Sequence, residues 1–464
     1  MKELITLSGL GILSLIAEIL NIRKLIYPIV LIGLALNIAF CVQDFGQNEM
    51  IYNMMQLDNT ALVFTILFSF IAILWFFMAR NFFTDDTNMS DHFSLVLFSL
   101  VGVLLLSSYT HLSMLFLGVE ILSIPVYVLV GSDKRNVYSN EAAFKYFLLG
   151  AFAGGFLLLG IAFVYGASGS FYSAQIAASA LTQLGLSKQL LAVGFILILF
   201  AFSFKMAAVP FHFWAPDVYS GAPTTVTAYM AAIVKIGAVA GFYRFYIIIA
   251  NNFRGEDFFY GFHIVLLTIA VLSIVIGNII AASQSNLKRL LAYSGSSHIG
   301  FILLGTAMTT MFVQNTILYY LVAYSISVIL AFWVMLIVFK QDNSVDISSF
   351  NGLVKRNPLL AGVMTIALLS MAGIPPLGGF FAKYFVLLDV ITRGYILVAV
   401  IAILASLIGV YYYFRIIIAM FAKVPVNDDV ITLNTTTKLA LIVVASLLIA
   451  IGIFPEFVLN LFIN

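Results

Sequence analysis

Long, unbroken runs of apolar residues constrain this chain more than any other feature. A helix needs about 20 consecutive apolar residues to cross the hydrocarbon core of a bilayer. The runs stay apolar throughout rather than alternating with polar residues, which excludes a transmembrane β-barrel. The sequence therefore predicts an all-α integral membrane protein, residues 1–464 forming a single polytopic membrane domain. Its about 14 transmembrane helices are expected near 4–22, 25–43, 60–79, 93–109, 112–131, 142–166, 189–213, 222–249, 262–283, 290–310, 313–339, 359–388, 394–421 and 439–462.

The composition agrees with this class and argues against a bound cofactor. Charged residues make up 9% of the chain, against ~25% in a soluble protein, so they cannot cover soluble domains. The net charge of +2 gives no indication of a nucleic-acid partner. Cys41 is the single cysteine, which excludes a disulfide framework, an Fe–S cluster and a cysteine-based zinc site within this chain. The histidines show no metal-ligand spacing.

The distribution of basic residues predicts the orientation. The first apolar run follows a nearly neutral start and lacks a small-residue cleavage site, so we interpret it as a retained span rather than a signal peptide. With the N-terminus outside, the outside loops hold only Lys2, Lys188, Arg254 and Arg393, and all other loop lysines and arginines lie inside. Because positive residues favour the cytoplasmic side, both termini are predicted to lie outside, on the periplasmic face.

Four ionisable residues fall within predicted spans: Glu120 in span five, Lys205 in span seven, Lys235 in span eight and Lys383 in span twelve. Each costs at least ~2.5 kcal/mol at the bilayer centre, so such residues usually serve a purpose. Burial disfavours the charged form of a lysine, whereas a nearby carboxylate favours it. Making or breaking a Glu–Lys pair would therefore change proton affinity, which is a physical basis for proton transfer.

Two interpretations of these charges are open. Glu120 could pair with one lysine only to satisfy two buried charges. However, one glutamate cannot neutralise three lysines, which favours proton transfer. His298, two turns into span ten, could bridge relay sites through water, or it could simply bond to a serine or to the backbone. Arg244 and Arg415 lie near the ends of spans and are interpreted as anchors.

The sequence also predicts roles for three polar residues near the ends of spans. Asp217 is expected to cap a helix, and His111 to be structural. Lys145, at the inside start of span six, is either an anchor or an entry point for protons.

Two proline- and glycine-rich segments should interrupt helices. Span seven runs into VPFHFWAPDVYSGAPTT, and span twelve contains GIPPLGG. A simple proline kink is one explanation. However, KMAAVP at 205–210 resembles SMAGIP at 370–375, and corresponding breaks in two halves of a chain are typical of repeat-built transporters with sites near the midplane.

Longer strings carry a family resemblance. FLGVEILSIPVYVLVG, FKMAAVPFHFWAPDVYSGAPTTVTAYMAAIVK, NLKRLLAYSGSSHIGF and MAGIPPLGGFFAKYFVL resemble the antiporter-like subunits of respiratory complex I, the proton-translocating NADH:quinone oxidoreductase, and above all its subunit N group. The resemblance extends over about residues 60–420. Lys383, and the lack of a long lateral C-terminal helix, favour this group over its paralogues.

The resemblance implies an architecture and a set of roles. Residues 93–249 and 262–421 would form two inverted antiporter-like repeats, with 1–92 and 422–464 as flanking helices, and spans seven and twelve would be discontinuous. Glu120 and Lys205 would form a modulating ion pair, Lys235 would be the central protonatable relay, and Lys383 the terminal site towards the outside. His298 would lie between the last two.

The resemblance also implies partners and a location. The chain would work in the cell inner (plasma) membrane, among lipids, with neighbouring complex I subunits, moving protons in response to quinone reduction. FMN, Fe–S clusters and quinone would belong to those partner subunits, and no redox chemistry would occur in this chain. Alternatives are a subunit of an Mrp-type Na⁺/H⁺ antiporter or of a membrane-bound hydrogenase, which share Glu120, Lys205 and Lys235, and a purely structural membrane scaffold.

Overall fold

The structure, a computed structural model, describes residues 1–17, 19, 23–80, 89–179, 185–253, 257–308, 313–427 and 429–460. The C-terminal ends of the first, tenth and last predicted spans, and Arg254 from the orientation argument, lie outside the described residues. In the described part the regular secondary structure is helical apart from one short antiparallel hairpin.

The first half of the chain contains a hairpin between its second and third helices. Strands β1 (Glu49–Ile51) and β2 (Met55–Leu57) form this hairpin, in which Met50 pairs with Gln56. The helices are α1 (Lys2–Ile16), α2 (Arg23–Gln43), α3 (Asn59–Ala79), α4 (Met89–Ser108), α5 (Leu112–Val130), α6 (Val137–Ser168), α7 (Ser173–Ser179), α8 (Leu186–Met206), α9 (Trp214–Gly221), α10 (Thr224–Tyr229) and α11 (Lys235–Asn252). A π-helical turn, Met230–Val234, joins α10 to α11.

The second half also consists of helices, and it contains a 3₁₀ turn at Ile347–Phe350. Its helices are α12 (Asp257–Ser283), α13 (Leu287–Met308), α14 (Val313–Asp342), α15 (Leu353–Arg356), α16 (Pro358–Ala372), α17 (Gly378–Thr392), α18 (Ile396–Ala422), α19 (Thr435–Ile453) and α20 (Pro455–Asn460).

The predicted membrane class is confirmed. Within the described ranges, 12 helical segments are long and apolar enough to cross a membrane. The two other predicted spans take a shorter form. The described part of the first span is α1, with 15 residues, and the twelfth span consists of α16 and α17, with 15 residues each. The repeat boundaries stay a prediction.

The chain divides into two compact units. Unit 1 comprises Met1–Met206 and Ile233–Leu266. Within it, α4 packs against α1, α3, α5 and α11, and α6 packs along α8. The last pair approaches closely at Gly160 and Gly194, where a Cβ added to either glycine would lie within 3 Å of the other's carbonyl oxygen. Small residues at such crossings let membrane helices pack backbone to backbone.

Unit 2 comprises Ala207–Ala232 and Leu267–Asn464. Within it, α13 packs against α9, α14 and α17, and α14 packs against α16 and α17. Gly300 of α13 faces the backbone of α12, since an added Cβ would lie 2.7 Å from the carbonyl oxygen of Ala270. The broken segments α9, α10, α16 and α17 therefore all belong to this unit.

Both predicted helix breaks are present. Helix α8 ends at Met206, and the next residue, Ala207, has a left-handed backbone with φ +57°. Helix α16 ends at Ala372, and the next residue, Gly373, has φ +85°. When KMAAVP is aligned with SMAGIP, Ala207 pairs with Ala372. The helix end and the left-handed residue therefore lie one residue later in the second break than in the first. Each break also contains a cis X-Pro bond, Val209–Pro210 and Pro375–Pro376.

Candidate functional site

Lys205 lies in the last turn of α8, with 5% of its surface exposed. Its Nζ donates hydrogen bonds to Ser123 Oγ at 2.7 Å and to the Tyr127 hydroxyl at 2.8 Å, both on α5. The same Nζ lies 5.3 Å from the centroid of the Tyr127 ring, on the side of its hydroxyl. Two hydroxyls of α5 therefore bind this buried ammonium.

Glu120 lies on α5, one turn before Ser123, and is half-buried. Its Oε1 reaches α6, where a Cβ added to Gly154 would lie 3.0 Å away. Gly154 and Lys205 line the same small cavity, together with Val119. No ion pair within 4 Å joins Glu120 to Lys205 among the described residues. Glu120 therefore lies against a glycine that shares a cavity with Lys205, without pairing directly with Lys205.

Lys235 is the first residue of α11 and follows directly on the π-helical turn. Single π turns inside α-helices occur frequently at functional sites. Lys235 is 2% exposed. Two residues on, Gly237 packs against the apolar side chains of Val103 and Leu122. Unit 1 therefore holds three of the predicted site residues, Glu120, Lys205 and Lys235.

His298 lies in α13 among tyrosines of unit 2. Its Nδ1 lies 2.8 Å from the Tyr320 hydroxyl and its Nε2 lies 3.3 Å from the Tyr413 hydroxyl. The Tyr324 ring lies 4.8 Å from the imidazole. Neither a serine nor the backbone alone therefore explains its hydrogen bonding. An imidazole between two hydroxyls can donate at one nitrogen and accept at the other, as proton transfer requires.

Lys383 lies on α17, the second helix of the broken span. Its Nζ donates to the carbonyl of Ala372, the last residue of α16, at 2.9 Å. Its Nζ also lies 5.6 Å from the Phe301 ring centroid. A half-buried lysine thus connects the two halves of the break, and its acceptor is a carbonyl freed by the end of a helix.

A cavity joins the surroundings of His298 to this break. Its lining includes His298, Tyr324, Ser327, Ser370 and Ala382. The hydroxyls of Ser327 and Ser370 lie 2.9 Å apart. Ser370 Oγ also accepts a hydrogen bond from the backbone N–H of Gly379, the second residue of α17. Unit 2 therefore brings His298 and both helices of the broken span to one small cavity.

The structure shows a buried lysine that the sequence analysis assigned to an inside loop. Lys288, in the first turn of α13, is 5% exposed and donates to the carbonyl of Ala222 at 2.7 Å. The adjacent Arg289 pairs with Asp217 of α9 at 2.7 Å. Asp217, predicted to be a helix cap, thus binds α13.

Several other polar residues have protein partners. Lys145 pairs with Glu141 one turn earlier on α6, and both side chains are exposed. His111 caps the start of α5 by accepting from the N–H of Ser113, a structural role as predicted. Burial lowers the pKa of the His111 imidazole below its usual value. Arg415 donates to the carbonyls of Ala282 and Gln284 at the end of α12.

No group of three or more histidine, cysteine, aspartate or glutamate side chains within the described ranges could hold a metal ion. The predicted site residues themselves comprise three lysines, the Glu120 carboxylate and the His298 imidazole, with neighbouring hydroxyls. These groups can bind, release and hand on protons.

Several known proteins are similar to this chain. Residues 109–409 match a family model described as "NADH:quinone oxidoreductase/Mrp antiporter, TM". The NADH-quinone oxidoreductase subunit N of Cytophaga hutchinsonii is 42% identical, over 100% of both chains. A chain of respiratory complex I from Thermus thermophilus with bound aureothin is 31% identical, with a TM-score of 0.81, over 99% of this chain and 98% of that one. A chain of the Mrp complex from Dietzia sp. DQ12-45-1b has a TM-score of 0.85 over 99% of this chain and 94% of that one; at 20% identity it shows likeness of fold alone.

Proposed function

Because this chain belongs to the NADH:quinone oxidoreductase/Mrp antiporter family of membrane proteins, we propose that it is the antiporter-like subunit N of a NADH:quinone oxidoreductase. In this role it translocates protons across the membrane, driven by quinone reduction in partner subunits. The observation that carries the proposal is the 42% identity to a subunit N over the whole of both chains. The chain is therefore part of an enzyme complex and not a redox enzyme alone.

The buried lysines support proton translocation over a purely structural role. Lys205 and Lys235 are 5% and 2% exposed inside a membrane protein. Charged groups are retained at such depth mainly where they serve transport or relay functions. A lysine whose charged form is disfavoured by burial exchanges its proton more readily than an exposed one.

We assign the roles residue by residue. In unit 1, Glu120 modulates the charge state of Lys205, and Lys235 is the central protonatable relay. In unit 2, His298 and Lys383 take up and release protons, with Lys383 as the terminal site towards the outside. The contacts of His298 with two hydroxyls, and of Lys383 with a freed helix carbonyl, support these assignments.

The remaining parts of the proposal concern location and partners. The chain lies in the cell inner membrane with both termini on the periplasmic side, in contact with lipid and with neighbouring subunits of the membrane arm. FMN, Fe–S clusters and quinone bind to partner subunits, and this chain binds no cofactor of its own.

A mild affinity purification of this chain from its native membrane tests the proposal. We expect NADH:quinone reductase activity, with flavin and iron, to copurify with the chain. A preparation without redox cofactors that exchanges Na⁺ for H⁺ in vesicles would overturn the proposal in favour of an Mrp-type antiporter subunit. Copurification with hydrogenase activity would instead assign the chain to a membrane-bound hydrogenase.

A further inference from the structure

Glu120, Ser123 and Tyr127 lie on one face of α5, spaced by three and four residues, so their side chains follow one another along the helix. Lys205 contacts the second and third of these residues. The first, Glu120, lies against Gly154, which lines a small cavity together with Lys205. One helix face therefore offers the same ammonium two sets of acceptors, a carboxylate and a pair of hydroxyls.

The hydrogen-bond geometry fits an ammonium in the hydroxyl position. Ser123 donates its own hydroxyl hydrogen to the carbonyl of Val119, which leaves its oxygen to accept from Lys205. An ammonium has three hydrogens to donate and no lone pair. Two of these hydrogens are donated to Ser123 and Tyr127, which leaves the third available to an acceptor on the side of the cavity. The hydroxyl position thus solvates the charge without neutralising it.

Glycines on α6 provide the space for both sets of acceptors. Gly150 lies against the Tyr127 hydroxyl so closely that an added Cβ would overlap the oxygen, and Gly154 lies against the Glu120 carboxylate. The two glycines are one turn apart on the face of α6 that packs against α5. Side chains at these positions would displace Tyr127 or fill the cavity.

We propose that Ser123 and Tyr127 are positioning residues that hold the Lys205 ammonium away from Glu120, so that Lys205 alternates between a hydroxyl-bound position and a carboxylate-bound position. This inference rests on the proposed function, because it concerns the modulating pair of the relay. In the hydroxyl position Glu120 is released from Lys205. In the carboxylate position the ammonium is neutralised and holds its proton more tightly.

Removing the hydroxyls tests the proposal in the assembled complex, reconstituted in vesicles. We expect Tyr127→Phe and Ser123→Ala each to shift Lys205 towards Glu120 by about tenfold, since hydrogen bonds to a charged group are worth at least that factor. The double variant should lower the ratio of protons pumped per electron part of the way towards the value found in Lys205→Ala. The alkaline limb of its pumping–pH profile should move to higher pH, because the carboxylate-paired ammonium retains its proton.

Titratable groups near Lys205 can also contribute to the pH profile of pumping. These groups are Glu120 and Tyr127 on α5, Tyr146 on α6, and Lys235 on α11, which packs against α8. Tyr146→Phe and Ser203→Ala are the matched controls. Tyr146 contacts the Tyr127 ring at 4.7 Å between centroids, and Ser203 donates to the carbonyl of Leu199 on α8. Both controls should keep the wild-type proton ratio and pH profile.

The outcomes separate this inference from the proposed function. Normal pumping in Lys205→Ala would overturn the relay itself. Loss of pumping in Lys205→Ala, with a normal proton ratio and an unshifted pH profile in the double variant, would overturn only the positioning role. If the double variant fails to assemble, the single variants decide by the same two readouts.

Discussion

The Lys383 ammonium and the Ala372 carbonyl lie 2.9 Å apart across the break in the twelfth predicted span. The cation comes from α17, whereas the acceptor is the last carbonyl of α16. A helix C-terminus carries partial negative charge and favours a cation. The break therefore creates the acceptor that holds Lys383, so that helix geometry and a protonatable group form one site.

Replacing Lys383 by arginine tests whether this residue acts by its positive charge alone or by exchanging a proton. Arginine keeps a positive group near the Ala372 carbonyl but does not release its proton in proteins. We expect both Lys383→Ala and Lys383→Arg to lower the ratio of protons pumped per electron in vesicles while the complex assembles. A normal ratio in Lys383→Arg would show that the lysine serves only as a fixed charge.

The approach of α17 to α16 should tolerate no side chain at Gly379. A Cβ there would overlap the carbonyl oxygen of Ser370. We expect Gly379→Ala to destabilise the subunit by about 1–3 kcal/mol, the usual cost of overpacking. The measurement is the thermal unfolding of the purified complex, or its yield. Gly362→Ala is the control, because nothing lies within 4 Å of a Cβ added to Gly362 of α16.

The ion pair between Asp58 and Arg244 should stabilise unit 1 without taking part in pumping. Arg244 donates through both terminal nitrogens to Asp58 Oδ2, at 3.0 and 2.6 Å, and also to the carbonyl of Ser107. We expect Arg244→Ala to cost about 3 kcal/mol, since removing one partner leaves a half-buried charge unpaired. A lowered melting temperature with a normal proton ratio in the assembled fraction is the expected result. A lowered proton ratio in that fraction would contradict it.

The membrane fold was predictable because each apolar run must form its own helix in a bilayer. The positions of both breaks were predictable as well, since proline removes a backbone donor at a fixed place. The burial of Lys288 was not predictable, because it arises where α9 packs against the start of α13. Local sequence could not reveal that contact between distant segments.

The candidate site was predictable in its residues and less so in its contacts. Glu120, Lys205 and Lys235 are notable in sequence because charges are rare in apolar runs. Whether Lys205 binds Glu120 or the hydroxyls one and two turns further along α5 depends on side-chain geometry that sequence spacing leaves open. Similarly, the tyrosines around His298 come from α14 and α18, far from it in sequence.

The tyrosine hydroxyl at His298 should orient the imidazole for proton transfer. Tyr320→Phe removes the partner of Nδ1, a neutral hydrogen bond worth about 1 kcal/mol. We therefore expect a partial loss of pumping in Tyr320→Phe and a larger loss in His298→Phe, which removes the titratable group. Tyr319→Phe is the control, because the Tyr319 hydroxyl donates to the carbonyl of Ile451 and does not contact His298. Equal losses in Tyr319→Phe and Tyr320→Phe would indicate a general packing effect.

Lys235 should be the residue whose loss most directly stops proton transfer in unit 1. Lys235→Met keeps most of the side-chain volume in this 2% exposed position and removes the ammonium. We expect it to assemble but to pump fewer protons per electron in vesicles. Lys235→Arg, which keeps the charge without releasing the proton, should pump as poorly as Lys235→Met. Full pumping by either variant would remove Lys235 from the relay.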